Sequence, residues 1–203
     1  MDLISKYKLI VKDYYFEPHR KFHSWNHIES GFPLFEKSTN VSLEQKIAWL
    51  YHDIFYKPGA VDNEELSALK AIKDITDNND KNLINTNIVS IIINDTKKHL
   101  PTIEESKLVL DIDMSCLALN DYHEFFYLRM LAAKEFLFYG KDNIVLGTKK
   151  FIKDTLEQKQ IFYSEEFNYM NKIAFVNLER FYNEFENDPR FIDLFKTKNK
   201  LTI

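Results

Sequence analysis

The chain has a single cysteine, Cys116. It therefore holds no disulfide framework of its own and no cysteine-based zinc site, and it fits a reducing, cytoplasmic compartment. Glycine and proline are also scarce, four and five in 203 residues. A turn-rich β protein needs more chain breakers than that, so composition leans towards helices. No apolar run approaches the ~20 residues that cross a bilayer. The N-terminus, MDLISKYKLIVKDYY, is charged throughout and lacks the apolar core of a signal peptide. Basic charge is not in excess either: 27 Lys and Arg stand against 31 Asp and Glu, a formal net charge of -4. That argues against bulk nucleic-acid binding, which shows a basic patch, and leaves room for a small nucleotide.

What is present is a globular composition, 45% hydrophobic and 29% charged. The length suits one ordinary domain with a core large enough to need no staples. No internal repeat and no linker divides it, so the expectation is a single compact all-α bundle over residues 1–203. Apolar spacing is helical almost everywhere. Helices are expected over Leu3–Tyr15, from Ser24–Asn26 to Lys37, and from Ser42 to the Pro58-Gly59 break. Others should run from Asp62-Asn63 to Asp77, over Leu83–Lys98, Ile103–Leu110, Asp121–Phe138 and Lys141–Gln158, and from Ser164 to about Glu186. Ser42 reads as an N-cap with Glu44 and Gln45 in the first turn. Leu43, Ile47, Leu50, Tyr51 and Ile54 form a buried stripe. Phe125, Phe126, Met130, Ala133 and Leu137 form another, with Tyr182, Phe185, Phe191 and Phe195 covering the core.

Five places carry residue types suited to chemistry. His52 and Asp53 are adjacent near a helix end, and both are good ligands for a divalent ion. Successive helical residues diverge by about 100°, so they meet one ion only where the backbone bends; otherwise they are a core histidine beside a solvated aspartate. His23 and His27 are spaced i, i+4, which puts both on one face if the helix already covers His23. If it does not, His27 alone points inward and His23 supports the site or the substrate. Asp95 and His99 repeat that spacing, with His99 and Lys98 open to the rival reading of helix C-terminal capping. Asp111 and Asp113 sit in an apolar run, where burial is costly without a partner; a metal removes that cost, and so does a solvated helix start capped by Asp113. Glu64 and Glu65 open a helix, where acids are favoured by the dipole alone and also suit an acid–base role.

The ordered set His27, His52-Asp53, Asp113 resembles the HD superfamily of metal-dependent phosphohydrolases. Within it, the chain is most similar to a family of small proteins described as predicted metal-dependent HD phosphohydrolases. The likeness runs through Tyr15–Ile28, then Ala48–Tyr56 with Asp62-Asn-Glu-Glu65, then Asp95-Thr96-Lys-Lys-His99, then Leu110-Asp-Ile-Asp113-Met-Ser-Cys-Leu117, with a weaker tail over Lys149–Phe162. It covers about residues 14–163, leaving 164–203 as helices packed on that core. Four motifs in order carry weight that none has alone. One departure is Ala133-Lys134-Glu135-Phe136, where the family pattern has an Arg-x-Glu-aromatic motif; Arg129 lies one turn earlier.

The resemblance implies an all-helical HD-type fold and a divalent ion (Mn²⁺, Mg²⁺ or Fe²⁺) held by His27, His52, Asp53 and Asp113, with Asp111 in support. It implies hydrolysis of a phosphate ester, a nucleotide among the candidates, by metal-activated water. Asp53, Glu64 and Glu65 then serve proton transfer, and Arg20, His23, Lys97 and His99 meet the phosphate. Two other classes share the ligand set. A di-iron oxygenase would recruit His23 or His99 as further ligands, and a non-catalytic nucleotide-binding module would use the same site without turnover.

Overall fold

The computed structural model describes residues 2–196, and 197–203, the end of the expected C-terminal helical region, lie outside the described residues. Among the described residues the regular structure is ten α-helices and five short 3-10 segments, with no strand. The protein is all-α. The chain divides into two compact units. The first is Met1–Met114 with Phe162–Asn168, and the second is Ser115–Ile161 with Tyr169–Ile203.

In the first unit the helices are α1 (Leu3–Val11), α2 (Trp25–Lys37), α3 (Leu43–Tyr51), α4 (Asn63–Asp77), α5 (Thr86–Thr96) and α6 (Glu104–Met114). Helix α3 packs against each of the other five. The sequence reads it as amphipathic, yet Ile47, Ala48, Trp49, Leu50 and Tyr51 are all completely buried. A helix enclosed on every side is apolar all round. Its start follows the expectation: the Ser42 hydroxyl accepts from the Gln45 N–H, and the Gln45 side chain accepts from the Ser42 N–H. That reciprocal pair satisfies two of the N–H groups a helix start leaves open. Its end comes earlier than Pro58-Gly59 suggests, at Tyr51, with His52 as C-cap.

The carbonyls freed at that end find side-chain donors, as buried carbonyls must. Tyr15 donates to Leu50 O at 2.8 Å, and Arg20 donates to Asp53 O at 2.7 Å and to Ile54 O at 3.0 Å. Helix α1 also stops early, at Val11, because residues Lys12–Phe16 tighten into a 3-10 segment that delivers the buried Tyr15. Helix α6 runs four residues longer than its apolar pattern suggests, to Met114, so Asp111 and Asp113 lie inside its last turns rather than at a solvated helix start.

The second unit contains α7 (Tyr122–Glu135), α8 (Lys141–Glu157), α9 (Met170–Glu184) and α10 (Pro189–Lys196). Its core is a run of phenylalanines. The Phe181 ring meets those of Phe125, Phe126 and Phe185 at 5.6, 5.1 and 5.0 Å, and Phe185 meets Phe191 at 5.1 Å. Edge-on and offset contacts at these distances are the favourable geometries for aromatic rings. No helix among the described residues is long and apolar enough to cross a membrane.

Candidate metal centre

Three helices bring the candidate residues together. His27 lies in the first turn of α2, the His52-Asp53 pair forms the turn that ends α3, and Asp113 lies in the last turn of α6. The bend after Tyr51 lets two adjacent side chains face one point, which a continuing helix forbids. Arg20 braces this turn through the Asp53 and Ile54 carbonyls.

One ligand atom each from His27, His52 and Asp53 lies within 4.8 Å of the others, a group that could hold a metal ion. His52 Nε2 is 3.1 Å from Asp53 Oδ2 and 3.7 Å from Asp113 Oδ1, and His27 Nε2 is 3.2 Å from Asp113 Oδ1. These approaches are close but misaligned for hydrogen bonding: His27 Nε2, His52 Nε2 and Asp53 Oδ2 are buried and have no hydrogen-bond partner. Buried polar atoms are almost always satisfied. Three orphans aimed at one place match the donor set of a divalent cation, two imidazole nitrogens and a carboxylate oxygen. The tautomer fits as well. His52 Nδ1–H donates to the Trp49 carbonyl at 2.8 Å, which leaves Nε2 as the coordinating atom.

The electrostatics reflect these neighbours. Burial disfavours the His52 imidazolium, but the carboxylates of Asp53 and Asp113 outweigh it and raise its pKa to about 9. Burial pushes His27 the other way, below its ordinary value, against the pull of Asp113. Asp53 is buried too, yet the imidazoles of His52 and His23 hold its carboxyl below the usual range. Asp113 is held down likewise by His27, His99 and His52.

Trp49 sets the two imidazoles apart. Its ring stacks on His52 at 4.6 Å and meets His27 edge-on at 4.9 Å, while its Nε1–H donates to Ile28 O at 2.9 Å. Gly31 makes room for it, because a Cβ there would lie 2.5 Å from the indole. Trp49 receives no role from the sequence alone; its place three residues before His52 on α3, opposite a helical glycine, is the available signal.

The other expected residues are divided. His99 joins the centre from the loop after α5, its Nε2–H donating to Asp113 Oδ2 at 3.0 Å. His23 lies just before α2, its ring 6.2 Å from that of His27 and 4.2 Å from that of Tyr56. Arg20, expected at the phosphate, has a fully buried side chain engaged with Glu17, the His23 carbonyl and the 53–54 turn. It braces the centre rather than reaching outwards. Lys97 is exposed and donates to the Val61 carbonyl. Glu64 is half-buried and Glu65 exposed in the first turn of α4, and no hydrogen bond or ion pair joins either to the cluster.

Asp95 is buried and accepts from the Thr102 N–H and hydroxyl and from the Ser106 hydroxyl, so it anchors the start of α6. Asp111 is also completely buried. Burial pushes its pKa up, against hydrogen bonds from Ser164 and Tyr163. No family model, curated protein or solved structure matches the chain.

Proposed function

We propose that this protein is a metal-dependent phosphohydrolase of the HD type, with His27, His52, Asp53 and Asp113 holding one divalent ion. The observation that carries this reading is the convergence of three buried, unsatisfied ligand atoms, with Asp113 Oδ1 alongside. A divalent ion bound there supplies a positive charge that lowers the pKa of water and polarises a phosphoryl group.

The chain's own residues do the rest. Trp49 and the 49–52 hydrogen bond fix the imidazole directions. Arg20 keeps the Asp53 turn from relaxing into solvent. His99 holds Oδ2 of Asp113, so Oδ1 faces the histidines. His23 and the exposed Lys97 are the groups we assign to the substrate's phosphate. Proton transfer falls to Asp53, with Glu64 and Glu65 at the start of α4 as outer carboxylates. In the reaction the water oxygen bonds to phosphorus, the ester P–O bond breaks, and the alcohol leaves with a proton. A phosphorylated small molecule of nucleotide type is the substrate class we expect.

The test is elemental analysis of protein purified without chelators, wild type beside Asp53→Ala, followed by phosphate release from a nucleotide panel with the ion found. The expected result is about one ion per chain, lost together with hydrolysis in the variant. Full metal occupancy and turnover in Asp53→Ala would defeat the reading. Oxygen consumption with two irons per chain would replace it with the oxygenase class.

A further inference from the structure

The end of α6 is tied to a distant segment of chain. The Asp111 carboxylate accepts from the Tyr163 N–H at 2.7 Å on Oδ1, and from the Ser164 N–H at 2.8 Å and the Ser164 hydroxyl on Oδ2. These donors lie 52 and 53 residues further along, in the Phe162–Asn168 strap that belongs to the first unit. Phe162 is completely buried and Ser164 opens the 3-10 turn Glu165–Phe167, so the strap is held at both ends of Tyr163.

The Tyr163 hydroxyl then donates to the His99 carbonyl at 3.1 Å. His99 has φ +50°, a left-handed conformation uncommon outside glycine. Such a residue persists when its surroundings hold it from several sides. Three holds are visible: the backbone N–H on Thr96 O, the carbonyl on Tyr163, and the imidazole on Asp113. The carbonyl hold is the one that comes from beyond the end of α6. From this turn the imidazole reaches Oδ2 of Asp113, and the other oxygen is left towards His27 and His52.

We propose that Tyr163 is a positioning residue for the metal centre: its hydroxyl fixes the His99 turn, His99 decides which oxygen of Asp113 faces the two ligand histidines, and Asp111 fixes Tyr163. This rests on the metal-site reading above and extends it to a residue that touches none of the ligands. Nothing in the local sequence around Tyr163 marks it for this role.

Tyr163→Phe removes the hydroxyl and keeps the ring. Mn²⁺ is titrated into the full chain as wild type, Tyr163→Phe, His99→Ala and the double variant. The expected result is about tenfold weaker Mn²⁺ binding in Tyr163→Phe, the lower range for partners that orient a ligand. No further weakening is expected where His99 is already Ala, since the effect runs through His99. Equal weakening in both backgrounds, or none in either, overturns the proposal.

A metal-free arm separates this claim from the one beneath it. The His99 imidazole NMR signals, assigned by their loss in His99→Ala, should move in Tyr163→Phe while those of His19 and His123 stay in place. If wild type takes up no Mn²⁺, the metal reading falls, and the His99 signals alone decide the positioning: a shift supports it and stasis overturns it.

Discussion

The two units solve the problem of a helical core in opposite ways. In the second, the buried polar residues among the described residues are Glu135, Thr155 and Asn177, the Tyr122 hydroxyl and Arg129 Nε are also shielded from solvent, and interlocking phenylalanines fill the interior. In the first, Arg20, His27, His52, Asp74, Asp80, Asp95 and Asp111 are all buried. Burying such groups is unfavourable unless each finds a partner. Most do: Asp74 accepts from Tyr51 and Lys70, and Asp80 from Lys6 and Tyr7. Within this unit the exceptions among the described residues meet at one place, the His27–His52–Asp53 cluster. The second unit's interior is mainly aromatic packing, and the first gathers its unsatisfied ligand atoms at one point.

The sharpest way to break this comparison is to disturb the core of each unit in turn and watch the metal centre. Phe181→Ala should cost about 3–5 kcal/mol, the usual range for a buried phenylalanine, with metal content of the folded protein unchanged. Thermal melts beside elemental analysis check both halves, and a variant that folds but loses metal would refute the separation. Gly31→Ala comes next. A Cβ 2.5 Å from the Trp49 ring must displace it, at about 1–3 kcal/mol for overpacking. Here metal affinity should fall as well, because the same ring sits against His27 and His52.

A third effect follows from the imidazoles. His52 has a folded-state pKa raised to about 9 from 6.5. Its contribution to the metal-free protein is therefore fully present below pH 6.5 and is lost as pH rises through about 9. His27, with a lowered value, contributes above pH 6.5 and loses that contribution as pH falls. Melts in chelator should show the metal-free protein weakening between pH 6.5 and 9. Added Mn²⁺ should stabilise it increasingly over the same window, since ligand imidazoles must be neutral. A stabilisation that declines with rising pH would count against the imidazoles as ligands. The smallest change belongs to Leu146→Ser, at an exposed position of α8. It should move stability by no more than about 0.5 kcal/mol, and a larger drop in the melting temperature would reveal packing on that face.

Helix content and several boundaries were legible because they depend on neighbours in sequence. The Ser42 cap follows from local capping chemistry, and the starts of α4 at Asn63 and α8 at Lys141 follow the local turns at Pro58-Gly59 and Gly140 without a side-chain cap. The meeting of His52 with Asp53 was legible as a condition, that the pair sit at a helix end where the backbone bends, and α3 ends at Tyr51 with His52 as its C-cap. The ends of α1 and α6 were not, since Tyr15 and Asp113 are drawn to their places by partners far along the chain. Arg20 misleads for the same reason. A basic residue near a candidate phosphate site looks functional in sequence, whereas the carbonyls that occupy it are set by the fold. Asp111 and Tyr163 lie furthest beyond reach, because their partnership spans 52 residues.

That partnership also orders events during synthesis. A growing chain that has reached Met114 has all six helices of the first unit but none of the donors to Asp111, which arrive only with residues 163 and 164. Until then a carboxylate destined for complete burial has no partner. The first unit therefore cannot finish folding on the ribosome before Ser115–Ile161 has been made, and a fragment ending at residue 114 should emerge with the end of α6 frayed.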